Sequence, residues 1–352
     1  MDEIRYGIIG TGMMGIEHIE NINALPGARV VAISDTDESS RNAGASACAE
    51  PVGVYADHRA MLDAGGLDAA VIVTPNMTHL DLLTDVLAVP DLHVLVEKPL
   101  CTTVEDCERV VELAEDRPGI VWVGLEYRYM PPVARLIDEV RAGAVGTPHM
   151  VAIREHRFPF LVKVGDWNRF NANTGGTLVE KCCHFFDLMN LLADSDPVRV
   201  YASGGQSVNH LDESYDGRTP DILDNAFVVV DYANGVRALL DLCMFAEATH
   251  NQEEISVVGD KGKVEALLPE SVFRAGRRGE HWIGGVESEV VSDDSIGYEG
   301  HHHGSSFVEH GRFCDAIRNG TPPEVTVLDG LRSVALGVAA HRSIDEGVPI
   351  TL

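Results

Sequence analysis

The stretch IRYGIIGTGMMGIEHIENI, residues 4–22, decides the fold. A short apolar run, "IRYGII", enters Gly10-Thr11-Gly12-Met13-Met14-Gly15, and a helical pattern follows at once. Alone, G-x-G-x-x-G is a weak signal, because glycines collect in many turns. Here a strand precedes it and a helix follows. Gly10 and Gly12 then allow a tight turn and close approach of backbone to a pyrophosphate, and Gly15 lets helix and strand pack closely. The free N–H groups and positive end of that helix face the dianion.

Outward from this turn the same alternation continues. Apolar β-branched runs at 4–9, 28–34, 68–73, 92–96 and 120–124 read as buried parallel strands, separated by helical patterns such as 77–88 and 103–115. Strand, helix, strand, helix predicts a doubly wound α/β Rossmann domain over 1–125. Asp35 ends the second strand, 20 residues beyond Gly15, where a carboxylate accepts hydrogen bonds from both adenosine ribose hydroxyls and repels a 2′-phosphate. With the next arginine delayed to Arg41, the reading favours NAD over NADP. Two further strand ends carry polar residues: Thr74-Pro75-Asn76 with His79, and Glu97-Lys98-Pro99. Ligands of open α/β sheets sit at such carboxyl ends. The expected cofactor contacts are therefore Gly10, Gly12, Met13, Met14, Gly15, Asp35, Thr74, Pro75, Asn76, His79, Glu97 and Lys98, and the Lys98 ammonium is placed to hydrogen-bond a substrate hydroxyl.

At 352 residues the chain predicts two domains. No run approaches the ~20 apolar residues of a membrane span, and the N-terminal residues show no export signal. Seven scattered cysteines without regular spacing fit a reducing cytoplasm rather than a disulfide framework. A formal charge of −28 argues against nucleic acid and anionic membranes as partners. Only five basic residues are lysine. The acidity fits a high-salt cytoplasm, and equally an ordinary acidic protein.

Gly10/Gly12/Gly15, "TPNMTH", "EKP", "EYRYMPP" and the histidine segment "TGGTLVEKCCHFFDL" (174–188), in this order, resemble the Gfo/Idh/MocA oxidoreductases, and the ending "FCDAIRNGTPPEVTVLDGLRSVALGVAAHRSIDEGVPI" is similar to the family's C-terminal stretch. The resemblance implies a Rossmann domain followed by an α+β domain with a large open, mostly antiparallel sheet, and a substrate between the two. The chain beyond 125 agrees: "HMVAIREHRF", "VRVYASGGQS", "NAFVVVDYANGVRALLDLCMF" and "EEISVVGDKGKVEAL" read as strands with short polar turns, Asn234-Gly235 as a hairpin, and 210–221 and 275–304 as loops. Residues 126–352 thus form the expected second domain, for substrate binding and oligomerisation, with a helix over 327–345 near the junction. A homodimer or homotetramer is expected from the open sheet.

Residues 178–192 read as one helix, on which Glu180 and His184, and His184 and Asp187, share a face. The resemblance implies a D-x-x-x-H pair, histidine as acid/base and carboxylate tuning it. His184 takes the histidine position and Glu180 the carboxylate position, a departure from aspartate. With Lys98 polarising the reacting oxygen, the implied reaction is oxidation of a secondary hydroxyl of a sugar or cyclic polyol, such as an inositol, with hydride passing to NAD. A core histidine is the bland alternative for His184. Cys182 and Cys183 point ~100° apart on a helix and make poor co-ligands, so packing is favoured over metal. No metal is expected. The resemblance places Arg128 and Tyr129 at the cofactor or substrate cleft, or equally in packing. Lys163, Trp167, Asn168 and Arg169 suit a polyhydroxylated substrate, although polar loop residues need no function. One of His301 to His303 lines the cleft, or they cap the helix beginning near Ser305 or face solvent. Two other readings stay open: a non-catalytic NAD- and sugar-sensing protein, and an enzyme that recycles tightly bound NAD.

Overall fold

The computed structural model describes residues 3–279, 283 and 285–352. The chain forms two compact units, Met1–Tyr129 with Asp294–Val334, and Met130–Asp293 with Ala335–Leu352. The expected division gave all of 126–352 to the second domain; the chain instead returns to the first unit over Asp294–Val334. The reason is aromatic packing. Phe313, buried on the returning helix, stands 6.2 Å from the Tyr6 ring and 6.0 Å from Trp122.

In the first unit the strands are β1 (Ile4–Ile9), β2 (Ala28–Ser34), β3 (Gly53–Tyr55), β4 (Ala69–Ile72), β5 (His93–Glu97) and β6 (Val121–Gly124). The helices are α1 (Met13–Ala24), α2 (Glu38–Ala47), α3 (His58–Ala64), α4 (His79–Leu87) and α5 (Val104–Ala114). The sheet runs β3-β2-β1-β4-β5-β6, parallel throughout. Its order reverses beside β1, which puts the β1–α1 turn at the switch point where open α/β sheets hold ligands. All of β4 is buried, as its unbroken apolar sequence requires. The edge strand β3 was not anticipated: three residues, none fully buried, leave no periodic signal.

The second unit opens with α6 (Pro131–Arg141), whose first turn tolerates two prolines because its N–H groups lack helical partners. Its strands are β7 (Pro148–His156), β8 (Pro197–Gly205), β9 (Asn225–Tyr232), β10 (Arg237–Cys243), β11 (Glu253–Gly259), β12 (Gly262–Leu268), β13 (Val272–Arg277), β14 (Glu287–Val290) and β15 (Ile350–Thr351). They form one sheet in the order β14-β13-β12-β11-β7-β10-β9-β8-β15, antiparallel except for β7 beside β10. Short α7 (Asn171–Thr174), α8 (Thr177–Glu180) and α9 (Cys183–Ala193) follow β7. Strict alternation of burial along β9 and β10 gives the sheet one covered face. The other exposes Tyr201, Phe227, Val229 and Leu239. Asn234-Gly235 turns β9 into β10, with Gly235 at φ +90°. The end of β13 and all of β14 lie inside 275–304, which is therefore not loop throughout. Two long helices precede the final strand β15: α10 (Ser305–Asn319), in the first unit, and α11 (Val327–Glu346), within which the chain passes from the first unit to the second.

Candidate active site

The glycine turn has the shape a dinucleotide needs. Gly10 has φ +97°, and a Cβ at Gly15 would overlap the Gly10 carbonyl oxygen. Gly12 faces open space, a cradle that a side chain would begin to fill. Met13 is exposed at the start of α1 and Met14 half-buried. The Asp35 carboxylate accepts from the Thr11 N–H at 2.8 Å, fixing the end of β2 to the turn. Arg41 donates to the carbonyls of Asp35 (2.7 Å) and Thr36 (3.0 Å), so a cation does stand near Asp35 despite its distance in sequence. At the end of β4, the Asn76 Nδ2 is buried with no hydrogen-bond partner. Thr74 and Thr78 join hydroxyls at 2.7 Å, and Thr78 Oγ1 donates to the Pro75 carbonyl, which fixes the turn. An open glycine cradle, a strand-end carboxylate and an unsatisfied buried amide fit a dinucleotide at this edge.

His79 does not belong to that set. It is fully buried, with Nδ1 2.9 Å from the Pro99 carbonyl and Nε2 3.1 Å from that of Thr74. Burial lowers its pKa, offset in part by these carbonyls. Its ring ties the Thr74 turn to the Lys98-Pro99 turn and has no edge left for a cofactor. Arg128 is likewise engaged: its guanidinium donates to the Glu324 carbonyl at 3.1 Å and pairs with Asp329 at 3.3 Å, and the Tyr129 hydroxyl donates to the Glu324 carboxylate. Both residues tie the returning segment to the rest of the first unit. Of the three histidines, His302 lies 3.5 Å from Glu126, while the His301 N–H donates to Glu17. Gly304, not a histidine, stands at the N-terminus of α10.

In the second unit the helix expected over 178–192 is broken. Helix α8 ends at Glu180 and α9 starts at Cys183. Gly337 of α11 packs so closely on Leu178 that a Cβ there would stand 2.6 Å from its carbonyl oxygen. The Cys183 thiol donates to the Glu180 carbonyl at 3.4 Å. Glu180 and His184 are both buried, but their relation is set by this break rather than by a continuous helical turn. Cys182 and Cys183 are fully buried, and burial raises the Cys182 thiol well above its usual range. The Gly175-Gly176 approach takes φ +79° and +90°, and Gly176 leaves room for His341, whose Nε2 accepts the Leu178 N–H at 3.1 Å. Burial holds His341 at about 4, hence neutral and able to accept.

The loop before α7 turns through Gly165 (φ 69°) and Asp166 (φ 50°). Lys163 and Trp167 are half-buried there. Asn168 is wholly buried; its Nδ2 donates to the Leu161 carbonyl at 2.9 Å and its Oδ1 accepts from Arg169. Arg169 in turn pairs with Glu213 at 3.0 Å. Asn168 and Arg169 therefore hold the loop rather than present donors to a substrate. Among the described residues no group of three or more His, Cys, Asp or Glu is placed to hold a metal ion.

Residues 4–125 match the model described as the oxidoreductase family's NAD-binding Rossmann fold, and residues 137–352 that of its C-terminal alpha/beta domain. The chain belongs to the Gfo/Idh/MocA oxidoreductase family. Among similar proteins, a myo-inositol 2-dehydrogenase of Thermotoga maritima is 28% identical over 97% of each chain. Inositol 2-dehydrogenase 2 of Saccharopolyspora erythraea is 30% identical over 97% of this chain and 93% of its own. A levoglucosan dehydrogenase solved with NADH and levoglucosan superposes with a TM-score of 0.85 at 18% identity, over 99% of each chain. At that identity the likeness speaks for the fold.

Residues 4–125 are thus the NAD-binding domain of a Gfo/Idh/MocA oxidoreductase. Beneath each group of candidate residues lies a buried charge cluster that the motifs did not reveal. In the first unit Glu97 meets His18, and Trp122 Nε1 donates to Glu309 at 3.0 Å. Burial, then Glu126 and Glu97, push the Glu309 carboxyl well above its ordinary range. In the second, Lys181 pairs with Glu155 at 3.1 Å, and Glu253 stands opposite Glu155 between β11 and β7. The sequence signal available was slight: single charged residues inside otherwise apolar elements.

Proposed function

We propose that this chain is an NAD-dependent dehydrogenase oxidising a secondary hydroxyl of an inositol or a related cyclic polyol or sugar. The observation that carries the reading is the β1–α1 turn, with Gly12 open and Asp35 fixed on Thr11, at the switch point of the sheet. Relatives named as inositol 2-dehydrogenases over nearly the whole chain supply the substrate class.

In this reading the cofactor contacts are Gly10, Gly12, Met13, Met14, Gly15, Asp35, Thr74, Pro75, Asn76, Glu97 and Lys98. Bound NAD supplies the acceptor for the hydride. His184 takes the hydroxyl proton, a step typically worth about 10²–10⁴ in rate. The Lys98 ammonium hydrogen-bonds the reacting oxygen and stabilises the negative charge that grows there as the proton leaves. Glu180 orients His184, and Lys163 and Trp167 contact the polyol. The protein works as a homodimer or homotetramer, supported by the apolar residues on the open sheet face, and in a reducing cytoplasm, supported by seven free cysteines.

The test is a screen of myo-inositol, scyllo-inositol and aldoses with NAD and with NADP, following absorbance of the reduced cofactor. Turnover with NAD that is lost in both Lys98→Met and His184→Gln, while NADH binding survives, is the expected result. Full activity in either variant overturns the assigned roles.

A further inference from the structure

The mechanism above gives Lys98 a chemical role and its neighbour Glu97 none beyond an expected cofactor contact. Glu97 ends β5, and both of its carboxylate oxygens are engaged: Oε1 accepts from His18 Nε2 at 2.9 Å, and Oε2 from the backbone N–H of Lys98 at 3.0 Å. His18 is buried on α1, and its Nδ1 meets His310 Nε2 of α10 at 2.8 Å, with the two rings at 84°. His310 is fully buried, edge-on to Tyr6 at 5.7 Å, and its Nδ1 has no hydrogen-bond partner. One proton lies between the two rings. With that proton on His310 Nε2, His18 Nδ1 accepts it and a neutral His18 donates from Nε2 to Glu97; with the proton on His18 Nδ1, His18 donates to Glu97 only as the imidazolium.

The charges of Lys98 and His302 act on Glu97 in the same sense as His18. Burial by itself raises a carboxyl. The His18 hydrogen bond and charge, then Lys98 and His302, outweigh it and hold Glu97 at about 2. His79 of α4 feels the Glu97 charge, and Glu309 of α10, beside Glu126, is pushed towards its neutral form. The cluster thus contains one carboxylate with two donors of its own and, next to it in the chain, the ammonium of Lys98.

We propose that Glu97 is the positioning residue for Lys98: locked by His18 and His310, its carboxylate fixes the Lys98 backbone and keeps the ammonium protonated for the substrate oxygen. This rests on the reading of Lys98 as the group that holds that oxygen. A neutral amine would still hydrogen-bond, but would not stabilise the developing charge.

Five lysines make the test direct, because lysine labelled with ¹³C at Cε yields five resolvable titrations. Glu97→Gln, isosteric and uncharged, is expected to lower the Lys98 midpoint by about one unit or more. His18→Phe shifts it the same way, since an undonated buried Glu97 takes up a proton. Glu97→Asp, which keeps the charge, recovers most of the shift. The remaining lysine signals report that the fold is intact. In turnover of myo-inositol with NAD, the alkaline limb of the kcat/KM profile moves to lower pH by the same amount in Glu97→Gln. A Lys98 midpoint unchanged in both Glu97→Gln and His18→Phe overturns the proposal. Activity retained by Lys98→Met would instead overturn the role of Lys98, and leaves the titration result standing by itself.

Discussion

Glu253 offers a sharp quantitative test of the buried cluster under α8 and α9. It stands directly opposite Glu155 between β11 and β7, and both are buried. Lys181 and Arg157 both approach Glu155 Oε1, at 3.1 and 3.4 Å, so the available positive charge is concentrated on one carboxylate. Gln252 donates to Glu253 Oε1, while Oε2 of each glutamate has no hydrogen-bond partner. Burial, then the Glu155 charge, push Glu253 from 4.5 to about 7. Because the folded-state value is raised, the native state keeps a proton that the unfolded chain gives up. The associated stability is complete below 4.5 and is lost as pH rises through 7. At about 1.4 kcal/mol per unit the full loss is about 3 kcal/mol, and most of it falls between pH 5 and pH 8. Glu253→Gln reproduces the protonated form and gives Glu155 a donor. Its stability gain over the parent chain, from urea unfolding, is expected to be about 2–3 kcal/mol larger at pH 8 than at pH 5. Taking the difference between two chains cancels the acidic background of the rest of the molecule. A gain equal at both pH values, or larger at pH 5, refutes the reasoning.

Three further outcomes follow from single contacts. Asp35→Ala removes the carboxylate proposed to accept from the ribose and leaves Arg41 beside the turn; NADH affinity is expected to fall about 10-fold or more, with preference over NADP narrowed, and an unchanged ratio of the two affinities counts against the assignment. Gly176→Ala places a Cβ against the His341 ring in a backbone with φ +90°, for a loss of about 3 kcal/mol in unfolding experiments. His79→Ala removes the ring between the Thr74 and Pro99 carbonyls and leaves the one that accepts its single N–H without a donor, costing about 1–3 kcal/mol. It should also weaken NADH binding by loosening both turns, and affinity equal to that of the parent chain would show that the ring has no such role.

What the sequence made legible follows from the range of the forces involved. The inner strands of the first unit are short, apolar and mostly buried, so local pattern sufficed. Edge strand β3 gave none, because a half-exposed three-residue strand has no period to read. The break at Lys181-Cys182 was hidden for the opposite reason: apolar spacing continues straight through it, and the close contact on α8 just before it, at Leu178 and Val179, comes from Gly337, far along the chain. His79, Arg128 and Asn168 show a related limit. A polar residue at a strand end or in a loop announces that it needs a partner, not whether that partner is a ligand or a carbonyl of the same chain. Their partners, Pro99, Glu324 with Asp329, and Leu161, appear only when the chain is folded.

The same ambiguity bears on how loss of activity would be read. Glu97 precedes Lys98 and Lys181 follows Glu180, so in each unit a candidate chemical group has an immediate neighbour committed to buried charge. Consecutive residues point to different sides of a strand or helix, which lets one motif both carry chemistry and anchor itself. Replacing Lys181 with Met would leave the buried Glu155 carboxylate with Arg157 alone, at 3.4 Å, and breaking a buried pair typically costs up to about 3–5 kcal/mol. Turnover would then fall although Lys181 takes no part in proton or hydride transfer. The two cases separate by how the loss depends on conditions. A change confined to support lowers stability and is relieved by compensating the buried charge, as Lys181→Met combined with Glu155→Gln would do. A change in the chemistry itself persists in the fully folded protein at every pH.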